Sequence, residues 1–274
     1  ILRAVADRQQ GRAVAVDQGF IAAFGRILAD DRMDQSLLAL MLALPSESYL
    51  GEQMAVIDVD AIHAVRQAFR AAIARAHRAR LLDLYGASAA NDPQSLDKVA
   101  VGRRAIRNTS LAYLVAGGDA DAIRLAGTQA REGRTMTEVQ GALQALCETN
   151  TPVRQAALDA FYARWKDEPL VVDKWLMVQA SSPRPDAVEE VEKLTRHPAF
   201  TLRNPNKARS LIGAFAAGNQ VGFHRADGKG YAFLADRVIE RDGANPQVAA
   251  RLLGPMARWR RFDAARQAAM KAAL

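Results

Sequence analysis

The sequence predicts an all-α protein, a curved superhelical array of antiparallel helix pairs, and three observations carry that prediction. Apolar residues recur with the 3.6-residue period along nearly all of the 274 residues, and no sustained alternation marks a half-buried strand. Alanine, the strongest helix former and small enough to let helices approach closely, is the most frequent residue. Helix starts are marked again and again, by acidic caps or by a capping residue before proline.

In chain order, Phe20, Phe24, Ile27 and Leu28 form one helical stripe. Leu37, Leu38, Met41 and Leu42 form a second, opened by Asp34 as N-cap and closed before Pro45. The segment Asp60 to Tyr85 is the longest, with Ile62, Val65, Phe69 and Ile73 followed by Leu81, Leu82 and Tyr85 on overlapping faces. Gly86 to Gln94 is rich in Ala, Ser, Asn, Asp and Pro and reads as a loop, so a subdivision of the chain is placed near residues 86–98. Val99 to Ala116 forms a helix that stops at Gly117 and Gly118, and Asp119 caps the next, which runs to about Glu132. Thr135 and Glu138 have the spacing of a capping box. Thr151-Pro152, Asn204-Pro205 and Asn245-Pro246 start further helices, while Ser182-Pro183 reads either as a start or as a simple turn. From Gly86 onward these signals recur every 15 to 20 residues, very roughly, as stacked helical hairpins require. The architecture resembles armadillo or HEAT repeats, although no repeated consensus is present, and such arrays hold a partner on a concave face.

The composition excludes several functions. Its longest apolar run, Leu37 to Leu44, is far shorter than the roughly 18 residues of a spanning helix, so no membrane partner is expected. The single cysteine, Cys147, forms no internal disulfide and no Cys-based zinc site, which suits a cytoplasmic compartment; with Leu143 and Leu146 it reads as a small buried hydrophobe. A first residue of Ile1 rather than Met leads us to expect a piece of a longer chain. Thirty-seven Lys and Arg against 30 Asp and Glu leave a net charge of +7. That excess suits nucleic acid only if it gathers on one face. The densest cluster, Arg258, Arg260 and Arg261 interleaved with Trp259 and Phe262, reads either as a strand-binding patch or as a basic helix end.

Catalytic constellations are missing. None of His63, His77, His197 and His224 begins a His-Glu-x-x-His motif, and His63 and His77 would stand about 21 Å apart on one helix. Gly228-Lys229-Gly230 follows no strand and reads as a turn. Glu189, Glu190 and Glu192 with Lys193 read as a solvated helix face. No catalytic residue, metal ligand or cofactor is therefore assigned to this chain.

Four blocks carry a resemblance. They are Val172-Asp173-Lys174-Trp175, the run from Asn204-Pro205-Asn206-Lys207 through Arg209 to Phe215, Phe223-His224 through Gly228-Lys229-Gly230-Tyr231, and Asn245-Pro246-Gln247 through Arg251-Leu252. In order and spacing the sequence resembles the C-terminal domain of the bacterial aminopeptidase N family, M1-type zinc metallopeptidases, over essentially residues 1–274. The resemblance implies a helical, armadillo-like bowl that closes over a catalytic domain of the same polypeptide, restricts access to its cavity and helps position peptide substrates. The N-terminal β domain, the zinc-holding catalytic domain and a small β domain are then absent from these residues, with zinc in the parent enzyme only. By motif match the substrate-binding residues are Arg209, Gln247 and Arg251, each of which would otherwise be a surface residue or an interdomain contact. Gln247 and Arg251 are four apart and share a helical face. Because both of their helices begin with Asn-Pro, the positive dipole ends are expected to reinforce the arginines. Asp173 and Lys174 have no chemical role beyond capping or interhelical pairing, and Trp175, Phe215 and Tyr231 are expected in the core. The rival reading is a free-standing basic α-solenoid that binds nucleic acid or protein.

Overall fold

A computed structural model describes residues 1–89, 94–243 and 245–274, and among them every regular element is helical apart from a single bridge between Ile57 and Phe262. The expected loop from Gly86 to Gln94 includes residues 90–93, which lie outside the described residues. The chain forms two compact units, Ile1–Ser46 with Ala61–Ala160, and Glu47–Asp60 with Phe161–Leu274.

The first unit contains α1 (Leu2–Gln9), α2 (Gln18–Leu28) and α3 (Gln35–Met41); α4 (Glu47–Glu52) belongs to the second. Next come most of α5 (Val59–Ala76), then α6 (Arg78–Ala87), α7 (Lys98–Ala116), α8 (Ala120–Glu132), α9 (Met136–Cys147) and the start of α10 (Pro152–Trp165). Caps mark the starts that the sequence announces: Asp34 accepts from the amides of Ser36 and Leu37, and Asp119 from those of Asp121 and Ala122. Thr135 and Glu138 close a reciprocal capping box. Helix α7 lies against α3, α6, α8 and α9, burying Ile106, Leu111 and Leu114, and Cys147 is buried on α9.

Two expectations change here. The long segment from Asp60 to Tyr85 is two helices, broken at His77, whose backbone leaves the helical region at φ −120°. There the imidazole lies flat beside the Phe24 ring with Nε2 3.0 Å from the carbonyl oxygen of Ile21, a tertiary contact that periodicity does not encode. The stripe on α3 is also narrower than expected: Leu38 and Leu42 are buried, but Leu37 is 50 % exposed and Met41 45 %. A seven-residue helix docks along one i, i+4 edge.

The second unit continues with α11 (Pro169–Ala180), α12 (Ala187–Thr195) and α13 (Pro205–Ala208). A π-turn over Arg209–Gly213 joins α13 to α14 (Ala214–Gly218), followed by α15 (Gln220–Phe223), α16 (Lys229–Asp242) and α17 (Pro246–Leu252). A 3₁₀ helix over Gly254–Arg261 leads into α18 (Ala264–Ala273). Ser182-Pro183 starts no helix, since α12 begins only at Ala187. The buried side chain of Asn219 donates to the carbonyls of Ala180 and Ser182 and caps α15 through the amide of Gly222, which ties three segments together. Trp175, Phe215 and Tyr231 are buried, as expected, and Phe215 meets Phe223 and Phe233 edge to face.

At the centre of this unit a Cβ on Gly230 would stand 2.1 Å from the Phe223 carbonyl oxygen, so only glycine lets α16 approach α15 so closely. Beside it the buried His224 has Nδ1 3.0 Å from the Tyr231 hydroxyl, and its ring stacks on Phe262. Arg266 donates to the His224 carbonyl at 2.7 Å and bridges Asp60 and Asp263 at 2.6 and 2.8 Å. Burial, assisted by the Arg266 charge, pushes the His224 imidazole down to about 3, so it is neutral in the fold.

Unfolding restores an imidazole pKa near 6.5, so the unfolded chain takes up a proton that the fold refuses. The stability that depends on a neutral His224 is therefore fully present above pH 6.5 and falls by up to about 1.4 kcal/mol per pH unit on acidification toward pH 3. Urea midpoints measured against pH check this, and His224→Gln should flatten the slope in that window. Gly230→Ala should cost about 3 kcal/mol or more, because the clash is with backbone that no rotamer change relieves; a urea midpoint close to that of the unaltered chain would refute the close approach.

Candidate functional site

Asn-Pro pairs start the two helices that carry the sequence-predicted site. Asn204 accepts from the Asn206 amide at 2.9 Å and Asn245 from the Val248 amide at 3.1 Å, with proline at the first position of each helix. Proline fixes φ where no amide hydrogen is needed, so each start is pinned to one residue. Helix α13 has only four residues before the π-turn and α17 only seven. The Asn caps already occupy one amide of each first turn.

Arg209 and Arg251 line one recess of about 500 Å³ in the second unit. Arg209 opens the π-turn and Arg251 stands in the last turn of α17. Apolar side chains complete the wall, chiefly Met177 of α11, Val248 and Leu252 of α17, and Pro255. Both arginines are exposed, and among the described residues neither guanidinium has an ion pair or hydrogen bond. Gln247 is exposed one turn before Arg251 and is not among the residues lining the recess. The structure thus brings together two of the three residues named from sequence. It adds an apolar wall, whose only sequence signal is the i, i+4 pair Val248 and Leu252.

A recess so lined suits, chemically, an extended and partly apolar ligand with exposed carbonyl or carboxylate oxygens. A guanidinium offers five donors in a planar fork, and a charge-assisted hydrogen bond contributes about 1.5 to 3 kcal/mol. An apolar wall lowers competition from water for those bonds.

The densest basic cluster has a different use. Arg258 pairs with Glu52 at 2.8 Å, and Arg261 donates to the carbonyl oxygens of Gly51, Glu52 and Met54. Arg260 lies over the Trp259 ring, 4.7 Å from its centroid, with Lys271 also 4.5 Å from it. Phe262 is buried and paired with Ile57. Arg258, Arg261 and Phe262 fasten the 47–60 segment to the C-terminal part of this unit. Asp173 pairs with Lys207, as described below, and Lys174 is half-buried.

Among the described residues no three His, Cys, Asp or Glu gather closely enough to hold a metal ion. No step through a metal is assigned to this chain. No helix among the described residues is long and apolar enough to cross a membrane.

Comparison with known proteins agrees with the motif blocks. The chain is 37 % identical over 270 residues to aminopeptidase N of Escherichia coli, covering 98 % of this chain and 31 % of that protein. It is 42 % identical over 249 residues to aminopeptidase N of Caulobacter vibrioides, covering 90 % of this chain and 28 % of that protein. Among solved structures, aminopeptidase A of Legionella pneumophila in complex with aspartic acid superimposes with a TM-score of 0.89 at 30 % identity, over 99 % of this chain and 33 % of that one. The chain thus spans about a third of the length of the relatives it matches. The family described as a domain of unknown function (DUF3458_C) with ARM repeats matches residues 1–274, and to that ARM-repeat family the chain belongs.

Proposed function

We propose that this chain is the C-terminal helical domain of a zinc-dependent, M1-type aminopeptidase that removes N-terminal residues from peptides in the cytoplasm. In this reading it closes the active-site cavity, restricts access to it, and positions the peptide beyond the scissile bond. The relatives' names and the motif blocks support the parent enzyme. The observation that carries the positioning role is the recess with two unpartnered arginines and an apolar wall.

The chemistry divides between domains. A zinc ion, which residues of a catalytic domain of the same polypeptide would hold, would supply Lewis-acid activation of a water; the residues of this chain take part in binding the peptide and not in holding the metal. Arg209 and Arg251 bind the far end of the peptide, where successive carbonyls and finally a carboxylate accept their hydrogen bonds. Gln247, one turn before Arg251, meets the peptide at the edge of the recess. Holding the distal end fixes the register of the scissile bond, so these contacts govern longer peptides and leave short substrates nearly untouched.

In the full-length polypeptide, Arg251→Ala or Arg209→Ala should raise KM for a tetrapeptide about tenfold or more. Turnover of an aminoacyl-anilide should stay within about twofold, and Tm within a degree or two. Equal losses on both substrates, or a large fall in Tm, would make these arginines structural. The isolated 274-residue chain, mixed with zinc and an aminoacyl-anilide, should show no turnover. Turnover that co-purifies with the chain through successive columns would refute the division of labour. Salt-sensitive binding of nucleic acid at physiological ionic strength would favour the scaffold reading instead.

A further inference from the structure

We infer that Asp173 and Lys207 are a positioning pair that sets the direction of Arg209, an inference that rests on the reading of Arg209 as a peptide-binding residue. Lys207 lies on α13 and Asp173 on α11, their charged atoms 2.8 Å apart with side chains only 9 % and 13 % exposed. The same ammonium donates to the carbonyl oxygen of Pro169 at 2.9 Å, so both of its partners belong to the first turns of α11.

The helix beyond Lys207 explains why such an anchor is needed. Residues Pro205–Gly218 form one continuous helical run, with helical backbone angles at Ala208, Arg209, Gly213 and Ala214, interrupted over Arg209–Gly213 by a π-turn, a single-turn geometry frequent at functional sites. Its i to i+5 bonding adds one residue to the turn. Arg209, Gly213, Ala214 and Ala217 consequently stay on the recess together with Pro205, instead of drifting around the axis. Ser210 closes the junction by donating to the Asn206 carbonyl at 2.7 Å.

Lys207 precedes Arg209 by two residues, about 200° around a helix, so drawing one ammonium onto α11 turns the other cation to the recess. Arg209 has no partner of its own among the described residues to do this. A buried ion pair is a poor device for stability, since an apolar pair of similar volume usually matches it; its best-attested use is to select one arrangement. Here the arrangement selected is the helical register in which Arg209 faces the recess.

The test uses the full-length polypeptide with a tetrapeptide and an aminoacyl-anilide as substrates, and Lys207→Met in both the unaltered and the Arg209→Ala background. Lys207→Met should raise KM for the tetrapeptide about tenfold, leave kcat and the anilide reaction within twofold, and add nothing once Arg209 is gone. Lys207→Arg, which keeps the charge, should restore most of the loss. An unchanged tetrapeptide KM in Lys207→Met, with Arg209→Ala impaired, overturns the pairing alone. No effect of Arg209→Ala overturns the reading of the recess and the pairing with it. Losses that add to those of Arg209→Ala, or that fall equally on both substrates, make the pair purely structural and overturn the inference. If Lys207→Met fails to fold, Asp173→Asn is judged by the same comparisons.

Discussion

Around the recess the second unit is built on short helical segments, and that constraint shapes the site. Isolated helices under about 12 residues do not persist in water, so each must borrow stability from a cap, a neighbour or both. Helix α15 has four residues, and α13 and α14, of four and five, form one run only through the π-turn that joins them. They exist because Asn204 and Asn219 cap them and because Phe215 and Phe223 bury themselves between their neighbours. The close approach at Gly230 is the tightest point of this arrangement, and the Arg266 bridge beside it joins α18 to Asp60. A recess built on such segments is only as well defined as the core beneath it.

Two groups of basic residues are used in different ways. One works internally: Arg70 reaches Glu148 and the Ala112 carbonyl, Arg225 forks onto Glu189 and Asp227, and Arg261 caps a run of carbonyls near Met54. Those bonds hold Glu189 well below the ordinary carboxylate range, at about 2. The other population stands in the recess with no acidic neighbour among the described residues, as Arg209 and Arg251 do. A net charge of +7 is thus a sum over unlike roles, and it describes no single surface.

Helix starts were the most legible part of the fold. Asp34, Asp119, Thr135 with Glu138, Asn204 and Asn245 all cap as their local sequence announces, because a cap is a bond between residues two or three apart. Interruptions were illegible for the opposite reason. The break at His77 answers to the Ile21 carbonyl, 56 residues away, and the π-turn at Arg209 accommodates a helix pinned at Lys207 to α11. The exposed Leu37 and Met41 show the same limit: periodicity finds an apolar stripe, but only the neighbouring helix decides how much of it is covered.

Within the site, the motif blocks pointed to Arg209, Gln247 and Arg251 without saying which of them converge. By itself the sequence determined the all-helical class, the capped starts, the dispersal of charge and the kinship with aminopeptidase chains, all of which follow from local spacing or from motif order. Only the tertiary structure decided that Arg209 and Arg251 share one recess while Gln247 stays outside its lining, and that Arg258 and Arg261 bond to residues 51–54. It also gave Asp173 a partner 34 positions away. The physical reason is the same in each case: these are contacts between segments, set by how short helices bury their apolar edges, and nothing in a local pattern records which edge finds which neighbour.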